Sequence, residues 1–144
     1  MTDEGVRAFL QERHTLQVAS IGKDGRPHLV AMWYGFLDDA VAFWTYGRSQ
    51  KVVNLRRDPR VTCLVEDGER YEELRGAELV GTATVVEDRA QVMVLARSVY
   101  ERYTGPHTDE VAPLLEAMGA KRVGVRIDVE SVVSWDHTKL GGTY

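Results

Sequence analysis

Between Arg48 and Arg60 five cations (Arg48, Lys51, Arg56, Arg57 and Arg60) face one acid, Asp58. The whole chain carries −4, so with +4 in this stretch the remainder carries −8. Gly47-Arg48-Ser49-Gln50-Lys51 leads from a strand pattern into the start of a helix. There the free backbone N–H groups and the helix dipole already attract anions. Placing Arg and Lys at the positive end of a helix is a local conflict, and a phosphate would resolve it. Ser49 has the chemistry both to cap the helix and to bond a phosphate oxygen. The alternative is a solvated basic turn paired with acids elsewhere, and Arg56, Arg57 and Arg60 are assigned to that reading.

A second cluster is aromatic. Trp33, Tyr34, Trp44 and Tyr46 sit on strand patterns leading to the same turn, with Tyr71 and Trp135 available from elsewhere. Such residues either fill a core or wall a planar heterocycle whose phosphate arm ends at the basic turn. Other chemistry is missing. Gly76-Ala77-Glu78-Leu79-Val80-Gly81-Thr82 has the spacing of a phosphate loop without its lysine, and no Gly-x-Gly-x-x-Gly turn occurs. His14, His28, His107 and His137 are scattered, so a zinc site would need long-range assembly. Cys63 alternates with apolar residues and reads as an inert core thiol; Glu72 and Glu73 read as solvated neighbours. Nothing points to a hydrolase.

The elements that must position these groups follow from period and punctuation. A helix opens at Asp3, read as its cap, with Val6, Phe9 and Leu10 on one face. Leu16–Ile21, the Asp24-Gly25 turn, Pro27–Phe36, the Asp38-Asp39 turn and Ala40–Tyr46 make a three-stranded antiparallel meander. Ser49–Arg57 is a helix with Val52, Val53 and Leu55 as its apolar residues, stopped by Pro59. Val61–Glu66 and Leu79–Glu87 are strands, the latter with a bulge expected at Gly81. Asp88 caps a helix with the stripe Val92, Leu95, Ala96, Val99 and Tyr103. Val111, Leu114, Leu115 and Met118 share a further helix, which Gly119 ends. In the final strand, Lys121–Val129, Val123, Val125, Ile127 and Val129 face one way and Arg122, Gly124, Arg126 and Asp128 the other.

Six antiparallel strands interrupted by helices predict a mainly β fold, a β-barrel with helices at its ends. The 144 residues suit one domain, 1–144. One cysteine excludes an intrachain disulfide, which fits a reducing cytoplasm, and no signal or membrane segment is expected. The acidic balance argues against general nucleic-acid binding. Strands two and three are apolar on both faces, which predicts a second copy of the chain against the outer one.

The order of strand, Asp-Gly hairpin and strands, followed by Gly47-Arg48-Ser49-Gln50-Lys51-Val52-Val53-Asn54-Leu55-Arg56-Arg57-Asp58-Pro59-Arg60, resembles the pyridoxamine-phosphate-oxidase-like, FMN-binding split barrel. With the ending Ser134-Trp135-Asp136-His137-Thr138-Lys139-Leu140-Gly141-Gly142-Thr143-Tyr144, the chain is similar to the branch that uses the deazaflavin coenzyme F420. The resemblance implies a six-stranded antiparallel split β-barrel and a homodimer with cofactor sites at the interface. It implies that Arg48, Ser49 and Lys51, with Gln50 beside them, hold the cofactor phosphate. The backbone of Met32, Trp33 and Tyr34, together with Thr45, would line the ring system. Tyr71, Leu74, Arg75 and Gly76 would approach from the partner chain. The family's residues specific for pyridoxal phosphate are not recognisable, so vitamin B6 oxidation is not implied.

The function expected is an F420H2-dependent reductase that passes hydride to a small unsaturated or quinone-like substrate. The cofactor supplies the reactivity, so a chain without a catalytic dyad can still be an enzyme. The alternatives are an FMN-dependent oxidoreductase on the same fold, or a non-catalytic flavin- or haem-type binder. Trp135–Tyr144 is expected to pack at the dimer interface beside the pocket mouth, or against its own barrel.

Overall fold

Alternation and turn residues organise the first half of the sheet. The computed structural model describes residues 1–12 and 14–141. Helix α1 (Asp3–Gln11) buries Val6, Phe9 and Leu10, as their spacing predicts. Its cap is Thr2 rather than Asp3. The Thr2 hydroxyl accepts from the Gly5 N–H at 3.0 Å, and Asp3 joins Glu4 in the first turn, where the dipole favours acids. Strands β1 (Leu16–Ile21) and β2 (Pro27–Met32) form the expected hairpin, with the Gly22 N–H donating to the Arg26 carbonyl at 2.9 Å.

The predicted strand Pro27–Phe36 is in fact two strands. β2 ends at Met32, and β3 (Gly35–Leu37) pairs instead with β4 (Ala40–Tyr46). Tyr34 lies at the break. Its ring is fully buried and its hydroxyl donates to the Leu10 carbonyl at 2.7 Å. Its N–H goes to the Tyr103 hydroxyl and its carbonyl accepts from Arg102, so both backbone groups leave the ladder. Asp38 and Asp39, with φ of 52° and 62°, make the tight β3–β4 link in the left-handed region that aspartate tolerates. Among the described residues the expected meander is therefore absent, and seven strands replace six. β2 and β3 lie at opposite ends of the sheet.

The second half contains α2 (Gln50–Arg57), β5 (Arg60–Asp67), β6 (Arg75–Val86), α3 (Arg89–Tyr103), α4 (Ala112–Gly119) and β7 (Arg122–Asp136). β6 and β7 run further than expected because Arg75–Glu78 pairs with Val133–Asp136. Their register shifts between Val80 and Gly81, the bulge anticipated at Gly81. Only glycine fits there, since a Cβ would meet the Asp128 carbonyl oxygen at 2.1 Å. Val123, Val125 and Ile127 turn inward, whereas Val129, beside the bulge, is exposed. The result is a curled antiparallel sheet, a split barrel.

Two apolar clusters hold it. Leu16, Val18, Phe43, Val65, Leu79, Val125 and Ile127 fill the barrel. Ala42 and Trp44 pack instead with Val92, Leu95, Ala96 and Val99 of α3 and Leu115 of α4. The second apolar face of β4 thus meets a layer of its own chain. β2 differs: Leu29 and Trp33 at its end stay 66% and 54% exposed. In α2 the third buried residue is Asn54, not Val53, because Asn54 donates to the Ser20 hydroxyl at 3.1 Å. In α4 Leu115 is buried, while Leu114 and Met118 face outward.

Candidate functional site at the start of α2

The end of β4 is tied down before α2 begins. The Gly47 N–H donates to the Lys121 carbonyl at 2.9 Å and the Ser49 N–H to that of Tyr46 at 3.0 Å. Ser49 occupies the N-cap, as expected, yet its side chain makes no capping bond. Its Oγ is buried without a hydrogen-bond partner. Lys51 donates to the Thr45 hydroxyl at 3.0 Å, and burial holds its pKa below the ordinary lysine range. Among the described residues neither Arg48 nor Lys51 pairs with an acid. The other cations of the stretch are satisfied. Arg56 meets Glu87 at 2.5 Å, Arg57 donates to the Ile21 carbonyl at 2.7 Å, and Arg60 meets Asp58 at 2.7 Å.

Beside this turn lies a cleft of about 410 Å³ lined by Ala31, Met32, Trp33, Trp44, Thr45, Tyr46, Val99 and Arg122. It brings Met32, Trp33 and Thr45 together, and the Lys51–Thr45 bond joins the cation to its edge. One face of Trp33 is stacked on Tyr103, with centroids 4.7 Å apart and planes within 2°. Tyr34 is not part of the lining, and its N–H and carbonyl are both engaged. Gln50 also turns away, bonding Asn54 at 2.8 Å and lining a separate cavity against the β1–β2 hairpin. The aromatic cluster therefore divides. Tyr34 and Trp44 are buried, while Trp33 and Tyr46 remain open.

Arg122 is the residue that sequence reasoning missed. It pairs across the sheet with Tyr46, and its guanidinium carbon lies 4.6 Å from the Trp44 ring centre and 4.8 Å from that of Tyr46. The alternation of the last strand marked it as facing away from the valines. Only the β4–β7 register assigns it to the cleft. Val99 and Tyr103 reach the site from α3 in the same non-local way.

Tyr71, Leu74, Arg75 and Gly76 lie at the opposite end of β7, beside Trp135 and Asp136. Arg75 donates to Glu12 at 3.0 and 3.1 Å and to Asp67 at 2.6 Å, with its guanidinium 5.0 Å from the Phe9 ring centre. These bonds raise the Arg75 pKa and hold Glu12 and Asp67 below their usual values. Glu12, His14 and Asp67 bring their ligand atoms within 4.8 Å of one another, but Arg75 already neutralises the carboxylates. The Tyr71 carbonyl accepts from the His137 ring at 2.7 Å. Gly76 lies against Trp135, where a Cβ would be 2.1 Å from the indole. Asp136 pairs locally with Lys139 at 3.8 Å, while residues 142–144 of the tail lie outside the described residues. Burial pushes the Cys63 thiol up to about 12, in keeping with an inert core residue.

The chain is thus an antiparallel split barrel with an aromatic cleft beside a basic helix start. A family model described as pyridoxamine 5'-phosphate oxidase matches residues 2–136, and the chain belongs to that family. A conserved hypothetical protein of Mycobacterium tuberculosis is 47% identical; its crystal structure superposes with a TM-score of 0.95, covering 100% of this chain and 90% of that one. An F420H2-dependent biliverdin reductase of the same organism is 34% identical over 77 residues. The match spans 52% of this chain and about half, 56%, of that relative. A structure titled F420 reductase, 23% identical and covering 88% of this chain and 94% of its own, has a TM-score of 0.69 and shows the fold alone.

Proposed function

We propose that the chain is an F420H2-dependent reductase that passes hydride to a small unsaturated or quinone-like substrate. One observation carries this reading: a half-buried lysine without an acid, and a buried serine hydroxyl without a partner, start a helix at the rim of an aromatic cleft. That donor set fits a phosphate. Family membership and the similarity to an F420H2-dependent biliverdin reductase support the same choice. Reduced deazaflavin, when bound, supplies the hydride.

The protein's own share is binding and orientation. Lys51, Ser49 and Arg48 hold the phosphate, while the Gln50 side chain stays turned to Asn54. Met32, Trp33 and Thr45 line the ring system, and the Trp33–Tyr103 stack fixes the orientation of that wall. Tyr34 supports the wall from the core through Leu10 and Arg102. Leu29 on β2 and Trp33 just beyond its end leave an apolar surface for a second copy of the chain. That copy would bring the segment containing its Tyr71, Leu74 and Gly76, with the Arg75 head retained in its own carboxylate pair. No helix among the described residues is long and apolar enough to cross a membrane. We place the reaction in the cytoplasm, without nucleic-acid or membrane partners.

Protein made in a host lacking deazaflavin should purify nearly colourless and then bind F420 more tightly than FMN in absorbance titrations. Recovery as a stoichiometric yellow FMN complex would assign the site to FMN. Retention of haem without turnover would make the chain a carrier.

A further inference from the structure

The cleft contains a second cation that the phosphate seat leaves unused. Tyr46 and Arg122 are directly opposed across β4 and β7, so Arg122 lies on the face that carries Trp44 and Tyr46. Lys51 bonds Thr45, whose side chain points to the other face of β4. The two positive groups thus lie on opposite faces of one strand, Arg122 in the cleft and Lys51 bonded to Thr45 at its edge. They suit two anionic groups rather than one.

Arg122 is oriented by ring faces instead of by an acid. Its Nε is buried without a hydrogen-bond partner, and among the described residues no carboxylate pairs with it. Its planar fork matches the two oxygens of a carboxylate. Trp33 lines the same cleft with one face on Tyr103 and 54% of its surface open. A flat wall and a fork of donors therefore share one cavity of about 410 Å³.

We propose that Arg122 forms a separate anion subsite, which takes the carboxylate of a flat aromatic or conjugated substrate held in the same cleft. Its part in turnover rests on the reductase reading, whereas binding of such an anion does not. The Arg122 subsite serves the substrate, and the Lys51 seat serves the cofactor.

The test uses the full chain without added cofactor, titrated calorimetrically with 2-naphthoate and, separately, with 2-naphthamide. The wild-type protein should bind the carboxylate about tenfold more tightly than the amide. Arg122→Met, which keeps much of the apolar stem, should erase the difference, and Arg122→Lys should retain part of it. Equal binding of the two compounds, binding of neither, or a carboxylate preference that survives Arg122→Met would overturn the proposal. If Arg122→Met does not fold, the wild-type and Arg122→Lys titrations decide. F420 titration of the same variants separates the two sources of negative charge. Affinity within about threefold of wild type supports a substrate subsite, and a loss of about tenfold or more transfers Arg122 to the cofactor. Failure of the wild-type chain to bind F420 would sink the reductase reading and leave the naphthoate comparison intact.

Discussion

Arg75 and Arg122 are the same residue placed in opposite circumstances. Each lies over aromatic rings, Arg75 at 5.0 Å from Phe9 and Arg122 at 4.6 Å from Trp44. Arg75 also meets two carboxylates, Glu12 and Asp67, and its charge is fully answered within the chain. Arg122 meets none, and Lys51, at the start of α2, has only a hydroxyl. One end of β7 is electrostatically closed and the other is open. Charges answered locally hold the fold together, and charges left unanswered at a cleft define what must enter it.

The largest expected effect breaks the open end. Lys51→Glu should lower F420 affinity on the order of 100-fold or more, since a charge-assisted phosphate contact becomes a repulsion. Its melting temperature should move by no more than about 3 °C, because Lys51 has no ion pair to lose. Unchanged affinity in a fluorescence titration would put the anion seat elsewhere.

At the closed end, Gly76→Ala forces a methyl group into Trp135 and should cost about 1–3 kcal/mol by urea denaturation. Arg75→Met should cost less, about 1 kcal/mol at pH 7, since its ion pairs are partly solvated. The pH dependence has a definite sign. Glu12 and Asp67 are held below 4.5 and 3.8 in the folded protein, so their contribution is complete above those values. It is lost as pH falls through the depressed folded-state values. The stability gap between wild type and Arg75→Met should therefore narrow in acid, and a gap that widens there would contradict the network. The smallest effect sharpens the comparison. Ser49→Ala, at a cap that makes no capping bond, should change stability by only a few tenths of a kcal/mol, against about 1 for an ordinary cap. Its F420 affinity should nevertheless fall by roughly threefold to tenfold.

Much of this was legible because it is local. β1 and β4 have the bounds that alternation and turn residues predict, and Asp88 caps α3 by accepting from the Gln91 N–H. The basic turn was legible for the same reason: Arg48, Ser49 and Lys51 share one turn, and Thr45 lies one residue before the end of the preceding strand. The break at Tyr34 was not. His28–Phe36 is a continuous strand-like run without a turn residue before Gly35, and the interruption comes from Leu10, Arg102 and Tyr103. The length of β6 and β7 was hidden because Arg75 and Glu78 look like loop residues until Val133 and Asp136 pair with that segment. Arg122 was hidden by distance along the chain. A single strand's alternation reports two faces but not which neighbour lies on either.

The separation of β2 from β3 also bears on how the chain folds. β1–β2, β3–β4 and β5–β6 are hairpins that require only short loop closures. Closing β1 onto β5 and β4 onto β7 joins segments far apart in sequence, and such pairings are slow to be found. The cleft spans the end of β2, the end of β4 and the start of β7. It takes shape only after those distant pairings are made. During refolding, strand content measured by circular dichroism should therefore recover ahead of ligand capture, which makes binding a clock for the final assembly step.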